Sequence, residues 1–240
     1  MGLSVTVLGC DGGYPGPGGA ASGYLVESGG TRLWVDAGSG TLAAIQGRLD
    51  LRQLDAVLIS HEHPDHWSDL EGLAVVSAFE LGRQGLPVYA PAGLEQLVYH
   101  DFPEVLDWRV VADGDRQQVG GLALSFSRTD HGPETLAVRI EGEGRALGYS
   151  ADTGPAWSLQ ALGPGLDLAL CEATWLRDRE GTAQHLSARQ AGAMAREAGV
   201  GRLVLTHRWP TVAARDSWEE GSEAFGSAVE QARAGARWDV

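Results

Sequence analysis

Apolar residues along the chain recur with two periods. Short runs that are apolar throughout or at alternate positions occupy residues 3–8, 24–27, 31–36, 56–60, 87–90, 122–128, 137–141, 145–150, 166–171 and 202–206. Their lengths and their Val, Leu and Ile content predict β-strands. Between some of them the period becomes helical. Residues 67–79 place Leu70, Leu73, Ala74 and Ala78 on one face. Residues 187–198 open at Ser187, a good N-cap, and stop before Gly199, a natural C-terminal stop. A third helix is predicted over residues 217–233. The early half is strand-rich with hairpin spacing, and the later half repeats the mixture. This alternation predicts an α/β sandwich. No repeat or low-complexity linker divides the chain, so one domain over residues 1–240 is expected.

The run Asp11-Gly-Gly-Tyr-Pro-Gly-Pro-Gly-Gly19 must be a loop. It lacks the GxGxxG spacing and leads into a strand rather than a helix, which disfavours a nucleotide-phosphate loop. With 240 residues, 43% of them hydrophobic, the chain can bury a sizeable core, and extended disorder is disfavoured. The net charge is −14 and every basic side chain is Arg. Broad binding of nucleic acid is therefore disfavoured, and no Arg-rich cluster marks a local basic groove. No apolar run approaches the ~18 residues of a membrane span. The start, Met1-Gly-Leu-Ser-Val, lacks the features of a signal peptide, so a cytoplasmic protein is expected. Cys10 and Cys171 are too few for a disulfide scaffold and are expected to be small buried residues.

One stretch carries dense chemistry. Ile59-Ser-His-Glu-His-Pro-Asp-His-Trp67 puts His61, His63, Asp65 and His66 within six residues, directly after an apolar strand. A strand end followed by a tight loop can aim several side chains at one point. Imidazole and carboxylate suit zinc, manganese or iron. Asp65 and His66 diverge from His61 and His63, so a two-metal site follows. Chance clustering is a poor explanation, because the chain has only seven histidines. His131, Asp152 and His207 each follow a predicted strand end. Singly each is weak evidence, since turns and caps use the same residues. Together they supply the ligands that the first motif lacks.

These residues resemble the metallo-β-lactamase fold superfamily of dinuclear hydrolases. That family's HxHxDH motif stands here as His61-Glu-His63-Pro-Asp65-His66. The resemblance runs from Val7-Leu-Gly-Cys-Asp-Gly through Trp34-Val-Asp-Ala-Gly-Ser-Gly40, Tyr149-Ser-Ala-Asp-Thr-Gly154 and Cys171-Glu-Ala-Thr-Trp175 to Arg202-Leu-Val-Leu-Thr-His207. Within the superfamily the chain is similar to the ribonuclease Z-like branch. That branch includes tRNA 3′-processing enzymes and class II-type cyclic-nucleotide phosphodiesterases. The resemblance implies a four-layer αβ/βα sandwich with two divalent metal ions. His61, His63 and His131 would hold one; Asp65, His66 and His207 would hold the other. Asp152 and a hydroxide would bridge them. Zinc is the first expectation, and a homodimer is a family-level one.

Two metals suit hydrolysis of a small phosphodiester, such as a cyclic nucleotide or cyclic phosphate, in which Asp65 would also orient the hydroxide. The leaving alkoxide needs a proton. His185, in Gln-His-Leu-Ser, resembles the branch's proton-donating histidine, and Glu172 resembles the glutamate paired with it. Such a pair would fix the imidazole tautomer and raise its pKa. Without that context they would read as a residue leading into a helix and a solvated acid. Asp36 resembles the family's structural aspartate and is expected to hydrogen-bond backbone or a histidine rather than metal. Arg208 and Thr211 are candidates to contact a substrate phosphate, against the plain reading of a surface pair. Tyr14, Trp67, Trp175 and Trp209 line the pocket or fill the core.

Other readings compete. A tRNA 3′-processing enzyme usually carries a basic arm, and none is visible between Trp67 and Leu122. A lactonase can use a similar ligand set, but a lactone needs no Glu172–His185 pair. A true β-lactamase fits Asp152 at the bridging position poorly. A flavo-diiron enzyme would need a flavin domain for which there is no room. A metal-free scaffold is disfavoured by the complete set of seven ligand residues.

Overall fold

In the computed structural model, residues 2–98 and 101–240 are described. Side-chain alternation in the first strands builds two cores at once. In β1 (Ser4–Gly9), Val5 and Val7 join a central core while Leu8 joins an outer one. In β2 (Gly23–Ser28), Tyr24 and Val26 face the centre and Leu25 faces outward. In β3 (Thr31–Val35) the same split separates Leu33 and Val35 from Trp34. Buried on both faces, these strands read as nearly continuous apolar runs.

The chain continues through α1 (Thr41–Gln46), β4 (Ala56–Leu58), α2 (Pro64–Trp67), α3 (Asp69–Val76), β5 (Leu86–Ala90) and β6 (Leu106–Val110). There follow β7 (Arg116–Val119), β8 (Leu122–Arg128), β9 (Leu136–Gly142), β10 (Arg145–Tyr149), β11 (Leu168–Glu172), α4 (Ala188–Glu197) and β12 (Arg202–Thr206). The last elements are α5 (Ala214–Phe225), β13 (Glu230–Gln231) and β14 (Arg237–Asp239). One sheet has the order β14-β1-β2-β3-β4-β5-β6, and the other β13-β12-β11-β10-β9-β8-β7. The central core, with Val5, Tyr24, Leu33, Leu124, Ile140, Leu147 and Leu170, lies between the sheets. Ile45, Leu70 and Leu73 seal α1 and α3 onto the first sheet; Ala188, Ala191 and Ala195 seal α4 onto the second. The result is the expected four-layer sandwich.

Several boundaries differ from the sequence reading. The third helix covers Ala214–Phe225, not 217–233, because Gly226 takes φ 90° and donates its N–H to the Ser222 carbonyl. That left-handed stop frees Glu230 and Gln231 to pair with β12. The helix expected over 67–79 breaks into α2, α3 and a π-turn over Ser77–Leu81. Strands β6, β7, β13 and β14 carry mostly polar or exposed residues, and their sequences do not alternate cleanly. They exist because a neighbouring strand offers them a ladder; β14, for example, aligns Trp238 with Val5. Among the described residues, no helix is long and apolar enough to cross a membrane.

The loop after β3 packs directly on the turn that carries Asp65 and His66. Ala37 N–H donates to the His66 carbonyl at 2.7 Å, and a Cβ on Gly38 would collide with the Asp65 carbonyl oxygen. Gly38→Ala is therefore expected to cost ~1–3 kcal/mol by overpacking. A thermal melt should fall by several degrees; an unchanged melt would show that this loop can yield.

Candidate metal centre

The candidate residues sit at one rim because their strands end there. Asp36 follows β3, His61 and His63 follow β4, His131 follows β8, and Asp152 follows β10. Glu172 closes β11 rather than lying beyond it, and His207 follows β12. Three residues at these exits take left-handed backbone: Asp36 (φ 55°), Ala151 (φ 49°) and His207 (φ 52°). Such conformations cost of order 1–3 kcal/mol each and persist where surrounding bonds enforce them. At His207, the enforcing bonds include its own Nδ1–H donating to Thr174 Oγ1 at 2.9 Å.

All seven predicted ligand residues converge. His61, His63, His131 and Asp152 form one group and Asp65, His66 and His207 a second, with ligand atoms inside each group within 4.8 Å of one another. In the first, His63 Nδ1 lies 3.0 Å from His61 Nε2 and 3.2 Å from His131 Nε2. In the second, His66 Nε2 and His207 Nε2 are 3.3 Å apart, and Asp65 Oδ2 lies 3.4 and 3.2 Å from them. Asp152 reaches both groups. Its Oδ2 is 3.6 Å from His61 Nε2, and its Oδ1 is 3.4 Å from both His66 Nε2 and His207 Nε2.

The surrounding hydrogen bonds decide which nitrogen faces inward. His131 Nδ1–H donates to the Gln184 carbonyl at 2.9 Å. Ser60 Oγ donates to Asp36 Oδ2 and so accepts from His61 Nδ1–H at 3.0 Å. Thr174 Oγ1 donates to Glu172 Oε2 and accepts from His207 Nδ1–H at 2.9 Å. His66 Nδ1–H donates to Asp36 Oδ2 at 2.7 Å. In each case the Nε2 lone pair is left pointing into the cluster. Asp36 thus bonds backbone and a histidine, as expected, taking the Ser60 N–H at 2.7 Å and the Tyr149 hydroxyl at 2.6 Å. Sequence reasoning missed Ser60, Tyr149 and Thr174. Each lies inside one of the family-like motifs, Ile59–Trp67, Tyr149–Gly154 or Cys171–Trp175, a signal that could have found it.

This donor set fits divalent cations. Converging lone pairs about 3 Å apart repel unless a cation lies among them. Asp152 Oδ1 is buried and has no hydrogen-bond partner, a costly state that a cation would relieve. The field agrees. Burial opposes charge on His66, yet Asp152, Asp65 and Asp36 raise its pKa well above the usual value. The same carboxylates would stabilise a dication. His61, equally buried and next to His66, is pushed well below its usual value.

The Glu172–His185 pair is formed, with His185 Nδ1 2.9 Å from Glu172 Oε1. Glu172 is buried and saturated, also accepting from Thr153 N, Thr174 N, Thr174 Oγ1 and Leu186 N. Burial alone would lower the His185 pKa, but the Glu172 charge and hydrogen bond outweigh it and lift the pKa to about 9. His185 also stands beside the metal groups, with Nδ1 3.9 Å from Asp152 Oδ2.

Other candidates lie elsewhere. The Arg208 guanidinium donates to the carbonyls of Trp209 and Val212 and lines a small cavity with Cys10, Asp11, Ala214 and Gln231. Both of these bonds are made by its Nη1. Thr211 is exposed. Trp67 packs on the first sheet's outer core and donates to the Glu62 carbonyl at 2.7 Å. Cys171 is buried and Cys10 half-buried; burial pushes both thiols up to about 12, so neither is a nucleophile near neutral pH.

Comparison with known proteins agrees with this geometry. A family model described as "Beta-lactamase superfamily domain" matches residues 31–208. The chain is 33% identical to the probable metallo-hydrolase YhfI of Bacillus subtilis, over 99% of this chain and all of that protein. It is 31% identical to a ribonuclease Z of Mycolicibacterium paratuberculosis, over 88% of each. The crystal structure of the metallo-β-lactamase fold protein YhfI superposes with a TM-score of 0.90, at 31% identity over 99% of this chain and all of that one. With these matches and a His/Asp cluster suited to divalent metals, the chain belongs to the metallo-β-lactamase superfamily, on its ribonuclease Z-like branch, and is a metal-dependent hydrolase.

Proposed function

We propose that the protein hydrolyses a small phosphodiester, with a cyclic nucleotide or cyclic phosphate as the preferred substrate. The observation that carries this reading is the formed Glu172–His185 pair beside a ligand set divided into two groups by Asp152. His61, His63, His131 and Asp152 would hold one divalent ion, and Asp65, His66, His207 and Asp152 the other. Two such ions lower the pKa of water and offset charge on phosphoryl oxygens. The chain's own contribution is orientation and proton delivery. Asp65 is held in place by the Gly13 N–H at 2.8 Å. Glu172 keeps His185 Nδ1 protonated and turns Nε2 outward, where His185 can protonate the departing alkoxide. Zinc is the ion this donor set suits best, since imidazole and carboxylate nearly fill it.

A tRNA-processing activity is favoured by the ribonuclease Z relative and is the second reading. Charge opposes it. Between α3 and β8 the cations are Arg83, Arg109 and Arg116. Arg83 is committed to the Leu51 and Leu54 carbonyls, and Arg109 to Asp107 and Tyr89. Little is left to grip a polyanion.

The test is turnover of bis(p-nitrophenyl) phosphate, a cyclic-nucleotide panel and a precursor tRNA by protein loaded with zinc or manganese. Cleavage of the small diesters is expected. Cleavage of the tRNA alone would replace the proposal with the second reading. Inactivity on all three with two ions bound would point to acyl substrates such as lactones.

A further inference from the structure

The small cavity beside Arg208 is built from the residues after β1, the end of β12, the start of α5 and the segment after β13. Its volume is about 40 Å³, and Cys10, Asp11, Thr206, Arg208, Ser217 and Arg233 are among its lining residues. None of the seven candidate metal ligands lines it. Since ~10–15 Å³ suffices for one water, the cavity has room for about three waters, or for one tetrahedral oxyanion.

Its chemistry favours an anion. Among the described residues, neither Arg208 nor Arg233 forms an ion pair. Arg208 spends only Nη1 on the carbonyls of Trp209 and Val212, which leaves Nε and Nη2 without protein partners. Arg233 is exposed, and its guanidinium makes no hydrogen bond among the described residues. In a chain of net charge −14, two unneutralised cations at one cavity are out of pattern. Ser217 is fully buried, and its hydroxyl has no partner, a costly state unless a ligand or water meets it. No side chain caps the N-terminus of α5 at this wall, which adds partial positive charge. The Cys10 thiol is neutral and is spent on the Ala232 carbonyl at 3.4 Å. Asp11 selects among anions. Its Oδ2 accepts the Gly16 N–H at 2.8 Å, and its Oδ1 has no partner among the described residues. An ionised carboxylate only accepts, so it repels chloride and sulfate but takes a hydrogen bond from the O–H of hydrogen phosphate.

We infer that this cavity is a binding site for inorganic phosphate, separate from the metal centre. Arg208 Nε and Nη2 form a fork that fits two oxyanion oxygens, Arg233 supplies the second positive charge, and Asp11 takes the protonated oxygen. The walls connect the site to the metal centre from behind. Arg208 directly follows His207, and its carbonyl accepts the Gly12 N–H at 3.0 Å. The next N–H, of Gly13, holds Asp65 Oδ2 at 2.8 Å. Phosphate in the cavity therefore braces the segments that carry His207 and Asp65, whichever substrate the metal centre cleaves.

The test is calorimetric titration with inorganic phosphate of the metal-loaded protein and of Asp152→Ala, in which phosphate held by the metal centre is lost. A phosphate site present in both proteins is expected, with sulfate binding there about 10-fold more weakly and chloride more weakly still. In the Asp152→Ala background, Arg208→Gln should weaken phosphate about 10-fold, and Arg233→Gln, at an exposed position, about 3-fold. Arg233→Gln removes no side-chain bond to the protein, so its melt should match that of its parent and separate lost binding from lost folding. Absence of phosphate binding in folded Asp152→Ala, sulfate binding as tight as phosphate, or unchanged affinity in both arginine variants would overturn the site.

Discussion

An Asp152→Ala protein is expected to fold, to bind metal more than ~100-fold more weakly, and to lose diester hydrolysis to background. Asp152 is buried, and its two oxygens face different histidine groups, Oδ2 toward His61 and Oδ1 toward His66 and His207. Burial disfavours its charge, but His207, His66 and His61 more than compensate and hold its pKa well below the usual carboxylate value. It is therefore an anion throughout the working pH range. Removing it leaves converging imidazoles with no shared counter-charge. Asp152→Asn separates shape from charge: it should fold as well as the parent and still bind metal poorly. Metal content by elemental analysis, beside turnover, is the measurement. Two ions per chain and full turnover in Asp152→Ala would refute the bridging role.

The second large effect is expected at His185. His185→Ala should retain its metals and lose ~10²–10⁴ in kcat on substrates with an alkoxide leaving group. On bis(p-nitrophenyl) phosphate the loss should be small, because nitrophenolate departs without a proton. That contrast identifies a proton donor; a merely structural residue would slow both substrates alike. The pH dependence has a definite sign. Glu172 raises the His185 pKa to about 9, so the acid form dominates below that value and is lost as pH rises through it. Bound cations would draw the value down, so the alkaline limb of kcat should lie below pH 9 and vanish in His185→Ala. Glu172 is the poorer residue to mutate. It accepts five hydrogen bonds, and an amide in its place would leave buried donors unpaired at ~1–3 kcal/mol each.

The candidate ligands were readable in the chain because ligand chemistry is compositional. Three histidines and an aspartate directly after an apolar strand have few other uses, and His131, Asp152 and His207 sit at strand ends that apolar runs announce. The central strands could be read for the same reason: burial on both faces demands nearly unbroken apolar residues. Edge strands carry no such demand. Arg116-Gln-Gln-Val119 becomes β7 only because β8 lies beside it. The end of α5 depended on one backbone angle at Gly226 rather than on its helical pattern, which continues beyond.

Sequence by itself therefore determined the family, the sandwich class and the set of candidate metal ligands, since each rests on residue type and local spacing. Tertiary structure decided how those residues work together. It set which imidazole nitrogen faces inward, through partners such as Gln184 and Thr174 that lie 53 and 33 residues from the histidines they orient. It turned Arg208 onto backbone carbonyls, and it brought Tyr14 against Trp209 beside Asp65. Hydrogen-bond direction and side-chain aim depend on which strands lie next to one another. That pairing joins positions more than a hundred residues apart, as when the Tyr149 hydroxyl meets Asp36, and no local pattern records it.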